Sequence, residues 1–307
     1  MYPIMSVPDG AAINTEPLGT KYKFWYQDTN LGLCLFKEGR PNTGENWAEK
    51  VTSHLAEILG IPHAQYELAT YEQRRGVITP TLATFGSRII HGNEILAALA
   101  HDAHTEELRP YRNTSHKLQR VLAYFKQTQD SVAPPAEWDA SKDIHTALDV
   151  FIGYIMFDAW IGNQDRHDQN WALIRKSNGL LSLSPSYDHG SSLARNLMDS
   201  EREKRLTTSD KGYHISTFAT KAKSGFFPHE EGEKSVALGT VEAYRRASAR
   251  STGAAEWWKN RLASVDFDDV ARVINDVPDD WMSEKSREFT LQLLKINQER
   301  ILNAKLS

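Results

Sequence analysis

Three residues in the middle of the chain have the types and spacing of a phosphoryl-transfer site. Asn170 follows Asp165 by five positions, and a further carboxylate stands at Asp188. In a site of this kind one aspartate accepts the proton of the attacking hydroxyl, while an asparagine and a later aspartate ligate magnesium. The sequence therefore predicts Asp165 as the catalytic base and Asn170 and Asp188 as metal ligands.

A phosphate-binding lysine is predicted upstream of this loop. Lys37 ends the apolar run LCLF, which would place its ammonium at the end of a central strand. The next segment, GENWAEKVTSHLAEILG, has the apolar spacing of a helix and carries Glu49 near its apolar side. In kinases a strand lysine on the nucleotide phosphates is held by a glutamate of the following helix, which predicts a Lys37–Glu49 pair. Glu45 is the competing glutamate, and the alternative is that all are ordinary solvated charges.

The candidate phosphate loop is a glycine-containing connection before a predicted strand. Gly19 and Thr20 are small enough for the backbone to approach a phosphate, and Lys21 and Lys23 add positive charge. Alone this signal is weak, because a glycine before a strand is more often a simple turn. Further along, a predicted hairpin ends near Thr79, where the backbone is expected to hydrogen-bond an adenine.

The pattern of elements divides the chain into a β-rich part and a helical part. Residues 1–12 carry prolines and no clear period, which predicts a loosely held arm. A long helix beginning at Asp143 is expected to hold the catalytic loop, and the polar stretch 197–239 is expected to be irregular. The predicted fold is α+β, with a small β-rich N-lobe at 1–79 and a large helical C-lobe at 80–307.

Composition narrows the function classes. The chain has 307 residues, of which 40% are apolar and 25% charged, as in a soluble globular protein. A net charge of -4 argues against direct nucleic-acid binding and against an anionic membrane surface. The single cysteine, Cys34, predicts a reducing compartment. No signal-peptide pattern or membrane-length apolar run is visible, so a cytoplasmic protein is expected.

The catalytic loop resembles that of the HipA-like serine/threonine kinases, the toxin kinases of bacterial toxin–antitoxin systems. The matching segment is FDAWIGNQDRHDQN. SPSYDHGSSL resembles the family's metal-binding segment, LGTKYKF its phosphate loop, and DVPDDWMSEKSREFTLQLLKINQERIL its closing helix. Together these segments span most of residues 13–303. The resemblance implies a bilobal protein-kinase-like fold and a phosphotransferase that uses ATP and Mg²⁺.

The resemblance also implies roles for single residues. It implies Asp165 as the base and Asn170 and Asp188 as magnesium ligands. It implies that Lys37 binds the ATP phosphates and that the stretch from Gly19 to Lys23 covers them. The implied partner is a protein that is phosphorylated on serine or threonine, with aminoacyl-tRNA synthetases among the family's substrate classes.

The chain departs from the family pattern in three places. Full-length members carry an extra N-terminal subdomain where this chain has only residues 1–12, which predicts a reduced form whose antitoxin or regulatory partner is a separate polypeptide. Glu16 stands where the family often has an autophosphorylated serine. Gln169 replaces a common lysine, so His167 is expected to supply a donor toward the transferred group. Arg166 is predicted as a catalytic-loop residue together with Asp165 and His167, and its expected role is to brace the loop.

Other functions stay open on the sequence alone. A small-molecule or lipid kinase would use the same set of aspartate, asparagine and aspartate. A pseudokinase would act as a binding partner or antitoxin. A metal hydrolase would have to use His167, Asp165, Asp168 and Asp188, although the sequence lacks the spaced histidine pair of a zinc site.

Overall fold

The computed structural model describes residues 1–15, 22–101, 116–136, 138, 143–228 and 236–306. Within these ranges the strands are β1 (Ile4–Ser6), β2 (Asn14–Thr15), β3 (Lys23–Asp28), β4 (Gly32–Glu38), β5 (Glu67–Tyr71), β6 (Arg74–Pro80), β7 (Arg88–His91), β8 (Val132–Ala133), β9 (Ala172–Arg175) and β10 (Leu181–Leu183). The helices are α1 (Glu45–Leu59), α2 (Gly92–His101), α3 (Leu118–Gln127), α4 (Ala147–Ile161), α5 (Asp199–Thr207), α6 (Ile215–Thr220), α7 (Thr240–Ser248), α8 (Thr252–Ala263), α9 (Phe267–Asn275) and α10 (Glu284–Leu302).

The chain divides into two units, each with its own sheet. Unit one consists of Met1–Leu82, Asp188–Phe218 and Val265–Lys295, and unit two of Ala83–Tyr187, Ala219–Ser264 and Ile296–Ser307. Unit one holds a six-stranded sheet in the order β1-β5-β6-β4-β3-β2. Unit two holds a four-stranded sheet in the order β7-β9-β10-β8. The predicted division into lobes at 1–79 and 80–307 stays a prediction.

The sheet of unit one has an aromatic face because buried residues alternate along its strands. Phe24 and Tyr26 are buried on β3, and Cys34 and Phe36 are buried on β4. The antiparallel register pairs Phe24 with Phe36 and Tyr26 with Cys34, so these side chains pack against one another across the strands. Burying each large side chain contributes roughly 1.5–3 kcal/mol. Lys37 follows Phe36 in β4, so its side chain points to the opposite face of the sheet, where it contacts Glu49 of α1.

The first residues of the chain cover this aromatic face, so the prediction of a loosely held arm was wrong. β1 pairs in parallel with β5, and the backbone nitrogen of Val7 donates to the carbonyl of Thr70 at 2.9 Å. Val7 is buried, and Met5 packs against the aromatic cluster. The sequence signal misled because the two prolines, at positions 3 and 8, lie outside the paired strand.

In unit two, α4 is buried on every side and leads directly into the predicted catalytic loop. A capping box at its start explains its first residue: the hydroxyl of Thr146 accepts from the backbone nitrogen of Asp149 at 3.2 Å, and Asp149 accepts in return from the backbone of Thr146 at 3.0 Å. The helix therefore starts at Ala147, and the predicted start at Asp143 was wrong. The helix ends at Ile161, and the residue that caps it, Gly162, has a φ of 66°, which is favourable for glycine.

The described part of the stretch 197–239, which was expected to be irregular, holds two helices, α5 and α6. α5 has acidic residues in its first turn and basic residues in its last, which suits the helix dipole. Arg205 donates to Glu201 one turn earlier at 2.7 Å. Arg202 is its one buried residue, so this helix lacks the apolar stripe that periodicity detects. Of the helices in the described ranges, none has the length and apolar character that crossing a bilayer requires.

Candidate active site

Asp165 and Asn170 lie in the loop that joins α4 to β9. The backbone nitrogen of Asp165 donates to the side-chain oxygen of Asn163 at 3.1 Å, and its own side chain is 51% exposed. The side-chain nitrogen of Asn170 donates to the backbone carbonyl of Asp165 at 2.6 Å. Because this bond uses the amide nitrogen of Asn170, its amide oxygen is the atom that would ligate a metal.

Arg166 is buried inside unit two and braces the same loop. Its guanidinium forms a two-pronged pair with Asp158 of α4, in which Nη2 donates to Oδ1 at 2.8 Å. It also donates to the hydroxyl of Ser186 and to the carbonyl of Asn170, each at 2.9 Å. Burial opposes the charge, but the paired Asp158 carboxylate raises the pKa of Arg166 above its usual value. Arg166 therefore fixes the loop from within, which is a positioning role.

His167 lies beside two carboxylates at the exposed side of the loop. Its Nε2 is 3.9 Å from Asp165, and its Nδ1 is 3.8 Å from Asp168. The backbone nitrogen of Gln169 donates to Nδ1 at 3.1 Å. Since Nδ1 is an acceptor, the neutral imidazole carries its proton on Nε2, the nitrogen that faces Asp165.

Two carbonyl groups of the loop accept hydrogen bonds from residues that the sequence analysis did not identify. The backbone nitrogen of Asn93 donates to the carbonyl of Asp168 at 2.9 Å, and the hydroxyl of Tyr187 donates to the carbonyl of Gln169 at 2.8 Å. Nδ1 of His91 lies 3.0 Å from the same hydroxyl. The sequence could have indicated one of them, Tyr187, because it directly precedes the predicted metal ligand Asp188.

A second support is the segment 223–227, which packs against the backbone of the loop through Gly225. A side-chain carbon on Gly225 would overlap the carbonyl group of Arg166 and would lie 2.8 Å from the backbone nitrogen of His167. Glycine is therefore required at this position for close approach of two backbones, and not for an unusual φ.

His116 ties this segment to the end of the loop. Its Nδ1 lies 2.9 Å from the carbonyl of Gly225, and the indole nitrogen of Trp171 donates to its Nε2 at 3.1 Å. The imidazole is thus neutral, with its proton on Nδ1. Burial lowers the pKa of His116 to about 4.

Acid is expected to destabilise unit two through His116. The unfolded chain takes up this proton near pH 6.5 and the folded chain only near pH 4, so protonation of the unfolded state lowers the free energy of unfolding between these values. The contribution of His116 to stability is complete above pH 6.5 and falls by about 3 kcal/mol as the pH decreases to 4. Urea-unfolding midpoints measured across this range should fall less steeply in His116→Gln, and equal slopes for the two proteins would contradict this assignment.

In unit one, Lys37 of β4 contacts two carboxylates. Its Nζ lies 2.6 Å from Glu49 of α1 and also forms an ion pair with Asp188. Burial opposes its charge, but Asp188 and Glu49 raise the pKa of Lys37 well above its usual value. The predicted Lys37–Glu49 pair is present. Glu45, the competing glutamate, pairs with Arg195 and Arg40 instead.

Asp188 has an uncommon backbone conformation, with a φ of 57°. Its backbone nitrogen donates to the hydroxyl of Tyr66 at 3.1 Å, and the next residue, His189, donates from its backbone nitrogen to Glu49 at 2.8 Å. Burial raises the pKa of Tyr66 well above its usual value, so the phenol stays protonated. Sequence reasoning missed Tyr66 because no local motif links it to Asp188.

The other predicted nucleotide-binding residues are only partly described. Gly19, Thr20 and Lys21 lie outside the described residues. Lys23 stands directly opposite Lys37 in the register of β3 and β4, so both lysines are on one face of the sheet. Thr79 lies opposite Leu35 on β6, within the ladder between β4 and β6.

The chemistry of the predicted metal ligands suits magnesium. The amide oxygen of Asn170 and the carboxylate of Asp188 are the hard oxygen donors that Mg²⁺ prefers. Across the described ranges, no group of three or more His, Cys, Asp or Glu side chains is arranged to hold a metal ion. Magnesium in nucleotide sites needs no such group, because phosphate oxygens and water complete its coordination.

Comparison with known proteins identifies the family. A sequence model of the HipA-like C-terminal domain matches residues 17–250. The chain belongs to this family. No curated protein matches it by sequence. The HipA-like chain is similar in structure to the Helicobacter pylori proinflammatory kinase CtkA, with a TM-score of 0.71 and 18% identity over 98% of this chain and 96% of that one.

A second solved structure is HipA of Shewanella oneidensis MR-1, from a toxin–antitoxin complex with HipB and operator DNA. The TM-score is 0.56 and the identity 11%, over 100% of this chain and 70% of that chain. At sequence identities of 18% and 11%, the similarity to these two structures shows a shared fold. The predicted α+β fold of HipA-like type is therefore confirmed.

The predicted site residues of this HipA-like chain come from both units. Asp165 and Asn170 belong to unit two, and Lys37 and Asp188 to unit one. One of the peptide bonds at which the chain passes from one unit to the other is the bond between Tyr187 and Asp188. The predicted metal ligand of unit one, Asp188, is thus the direct chain neighbour of Tyr187, which bonds the loop of unit two.

Proposed function

We propose that this HipA-like chain is an ATP- and magnesium-dependent serine/threonine protein kinase that acts as the toxin of a toxin–antitoxin system. The observation that carries the proposal is Lys37, which is 11% exposed and bridges the carboxylates of Glu49 and Asp188. Burying such charges is costly, and an apolar replacement often serves a fold equally well. The cluster of Lys37, Glu49 and Asp188 is better explained by nucleotide binding. The lysine would bind the phosphates of ATP, and Asp188 would bind a metal ion.

The proposed mechanism assigns one task to each side chain. Asp165 orients the acceptor hydroxyl and accepts its proton, with the Nε2 proton of His167 directed toward the reacting group. Arg166 keeps the loop in place. Asn170 and Asp188 would hold magnesium, which supplies positive charge to the transferred phosphoryl group. Most of the acceleration then comes from placement and electrostatic stabilisation.

The nucleotide is proposed to bind through residues of the first 79 positions. Lys37, held by Glu49, binds the phosphates. The phosphates are covered by the stretch that contains Gly19, Thr20, Lys21 and Lys23. The backbone near Thr79 forms hydrogen bonds with the adenine. Lys23 supports this proposal, because it shares a face with Lys37 and adds a second positive charge there. The proposed lobes are the N-lobe at 1–79 and the C-lobe at 80–307.

The proposed partners are proteins. The substrate is a protein with a serine or threonine acceptor, an aminoacyl-tRNA synthetase being the class that the family resemblance offers. HipA of Shewanella oneidensis forms a complex with HipB and operator DNA, which supports a separate antitoxin or regulatory polypeptide for this chain. The proposed location is the cytoplasm, with no direct contact to nucleic acid or membrane.

Magnesium-dependent label transfer tests this function. The protein is incubated with γ-labelled ATP and a cell lysate, and label is expected in discrete protein bands that disappear when EDTA removes Mg²⁺. Glu49→Gln is expected to lower this transfer about tenfold, because Lys37 loses a charged partner; tenfold corresponds to about 1.4 kcal/mol. Glu57→Gln, on the exposed side of the same helix, is the matched control and should behave as wild type.

The same experiment separates the rival functions. Label confined to small molecules would identify a small-molecule or lipid kinase. Nucleotide binding without any magnesium-dependent transfer would identify a pseudokinase that acts as a binding partner or antitoxin. Either result would overturn the proposed protein-kinase activity.

A further inference from the structure

The backbone of Asp188 needs an explanation of its own. Residues with a side chain seldom adopt a positive φ, and that of Asp188 is 57°. A conformation of this kind persists where surrounding contacts determine it, and such residues cluster at functional sites. The direction of the Asp188 carboxylate depends on φ, so the contact that holds the Asp188 peptide also directs its carboxylate.

Among the contacts of the segment around Asp188, three lie in unit one and involve Lys37, Glu49 and Tyr66. Lys37 binds its carboxylate, and Glu49 accepts from the backbone nitrogen of His189 at 2.8 Å. The third contact is the hydroxyl of Tyr66, which accepts from the backbone nitrogen of Asp188 at 3.1 Å. The first contact involves the side chain of Asp188 and the second the following peptide. Of these three, Tyr66 is the one that bonds the backbone nitrogen of Asp188.

Tyr66 is suited to this task because it is rigidly placed. It is 4% exposed and stands directly before β5, which is paired on both sides, with β1 and with β6. Its hydroxyl is therefore a fixed point provided by the sheet. The chain beyond Asp188 is also confined, because a side-chain carbon on Gly190 would lie 3.1 Å from a carboxylate oxygen of Glu49.

We propose that Tyr66 is the positioning residue for Asp188: its hydroxyl holds the Asp188 peptide in the left-handed conformation and so directs the carboxylate toward the metal ion. This inference rests on the proposed function, in which Asp188 is a magnesium ligand. The ring of Tyr66 fills space, whereas the hydroxyl has the specific task. Without the hydroxyl, the Asp188 nitrogen loses this hydrogen bond and the peptide relaxes toward negative φ, which turns the carboxylate away.

Tyr66→Phe isolates the hydroxyl, because the ring and its packing remain. The apparent affinity for Mg²⁺, measured from transfer rates at saturating ATP, is expected to fall about tenfold. The rate at saturating Mg²⁺ should fall by a smaller factor, because the metal itself then holds the carboxylate. A loss confined to the rate, with Mg²⁺ dependence as in wild type, would overturn the proposal.

Tyr71→Phe is the matched control. Tyr71 is also buried, lies on β5 and packs against Phe24 and Phe36 on the aromatic face. Its substitution removes a hydroxyl from the strand that directly follows Tyr66, and the Mg²⁺ dependence is expected to stay as in wild type. An equal loss in both variants would show that the effect is a general consequence of disturbing the sheet, and the proposal would fail.

Amide hydrogen exchange provides a readout without activity. The Asp188 amide of the wild-type protein is expected to exchange slowly, and about tenfold faster in Tyr66→Phe, while the amides of β6 keep their rates. An Asp188 amide that exchanges in wild type as fast as an exposed one would overturn the proposal, even if the variant does not fold. A wild-type protein without magnesium-dependent transfer would refute the proposed function, and the exchange result would still decide whether Tyr66 holds the peptide.

Discussion

Asp165→Asn is expected to lower the rate of phosphoryl transfer by about 10³-fold, because the attacking hydroxyl loses the group that accepts its proton. Folding should change little. The side chain of Asp165 is 51% exposed, and the bonds to Asn163 and Asn170 use its backbone atoms, which the substitution retains. The amide that replaces the carboxylate has nearly the same shape, so the effect should be confined to chemistry.

Initial rates on one identified protein substrate measure this effect. The substrate is found by comparing phosphorylated peptides after brief induction of wild type and of the variant. Gln164→Ala is the matched control, since Gln164 is the exposed neighbour of Asp165 in the same loop, and its rate should stay within about twofold of wild type. Wild-type activity in Asp165→Asn would show that another residue accepts the proton.

The second large effect is expected for Gly225→Ala, which should both destabilise the protein and slow the reaction. The new methyl group would overlap the carbonyl of Arg166, and that backbone has little freedom because Arg166 is paired with the buried Asp158. Overpacking of this kind costs about 3 kcal/mol of unfolding free energy. Displacing the loop by about 1 Å would also lower the transfer rate about 10²-fold.

Gly253→Ala in α8 is the control for this prediction. A side-chain carbon on Gly253 meets no atom within 4 Å, so the substitution should leave activity unchanged and add up to about 1 kcal/mol through helix propensity. Urea midpoints give the change in stability, and rates measured well below the unfolding temperature separate the effect on catalysis. A fully stable and active Gly225→Ala variant would show that the segment 223–227 does not press on the loop.

Residues close in sequence were the predictable part of this site. The loop from Asn163 to Asn170 follows one helix, so the spacing of its side chains is visible in the sequence. Lys37 and Glu49 were predictable for a similar reason, since a strand and the next helix bring them together within twelve positions. Local order in the chain was enough to propose these contacts.

The supports of the site were not predictable, because they come from distant parts of the chain. Tyr66 is separated by 122 positions from Asp188, and His116 by 109 from Gly225. Neither pair has a motif, and a buried tyrosine or histidine resembles any other core residue in sequence. The start of α4 at Ala147 was missed for a different reason: the capping box of Thr146 determines it, whereas the prediction relied on the apolar period.

The carboxylate of Glu49 has a consequence for cooperativity. One of its oxygens bonds Lys37 at 2.6 Å, and the other accepts from the backbone nitrogen of His189 at 2.8 Å. A single side chain thus links the lysine proposed for ATP phosphates to the segment proposed for the metal. Ordering one contact favours the other, so nucleotide and magnesium should bind with positive coupling. By thermodynamic linkage, each would then strengthen the binding of the other by the same factor.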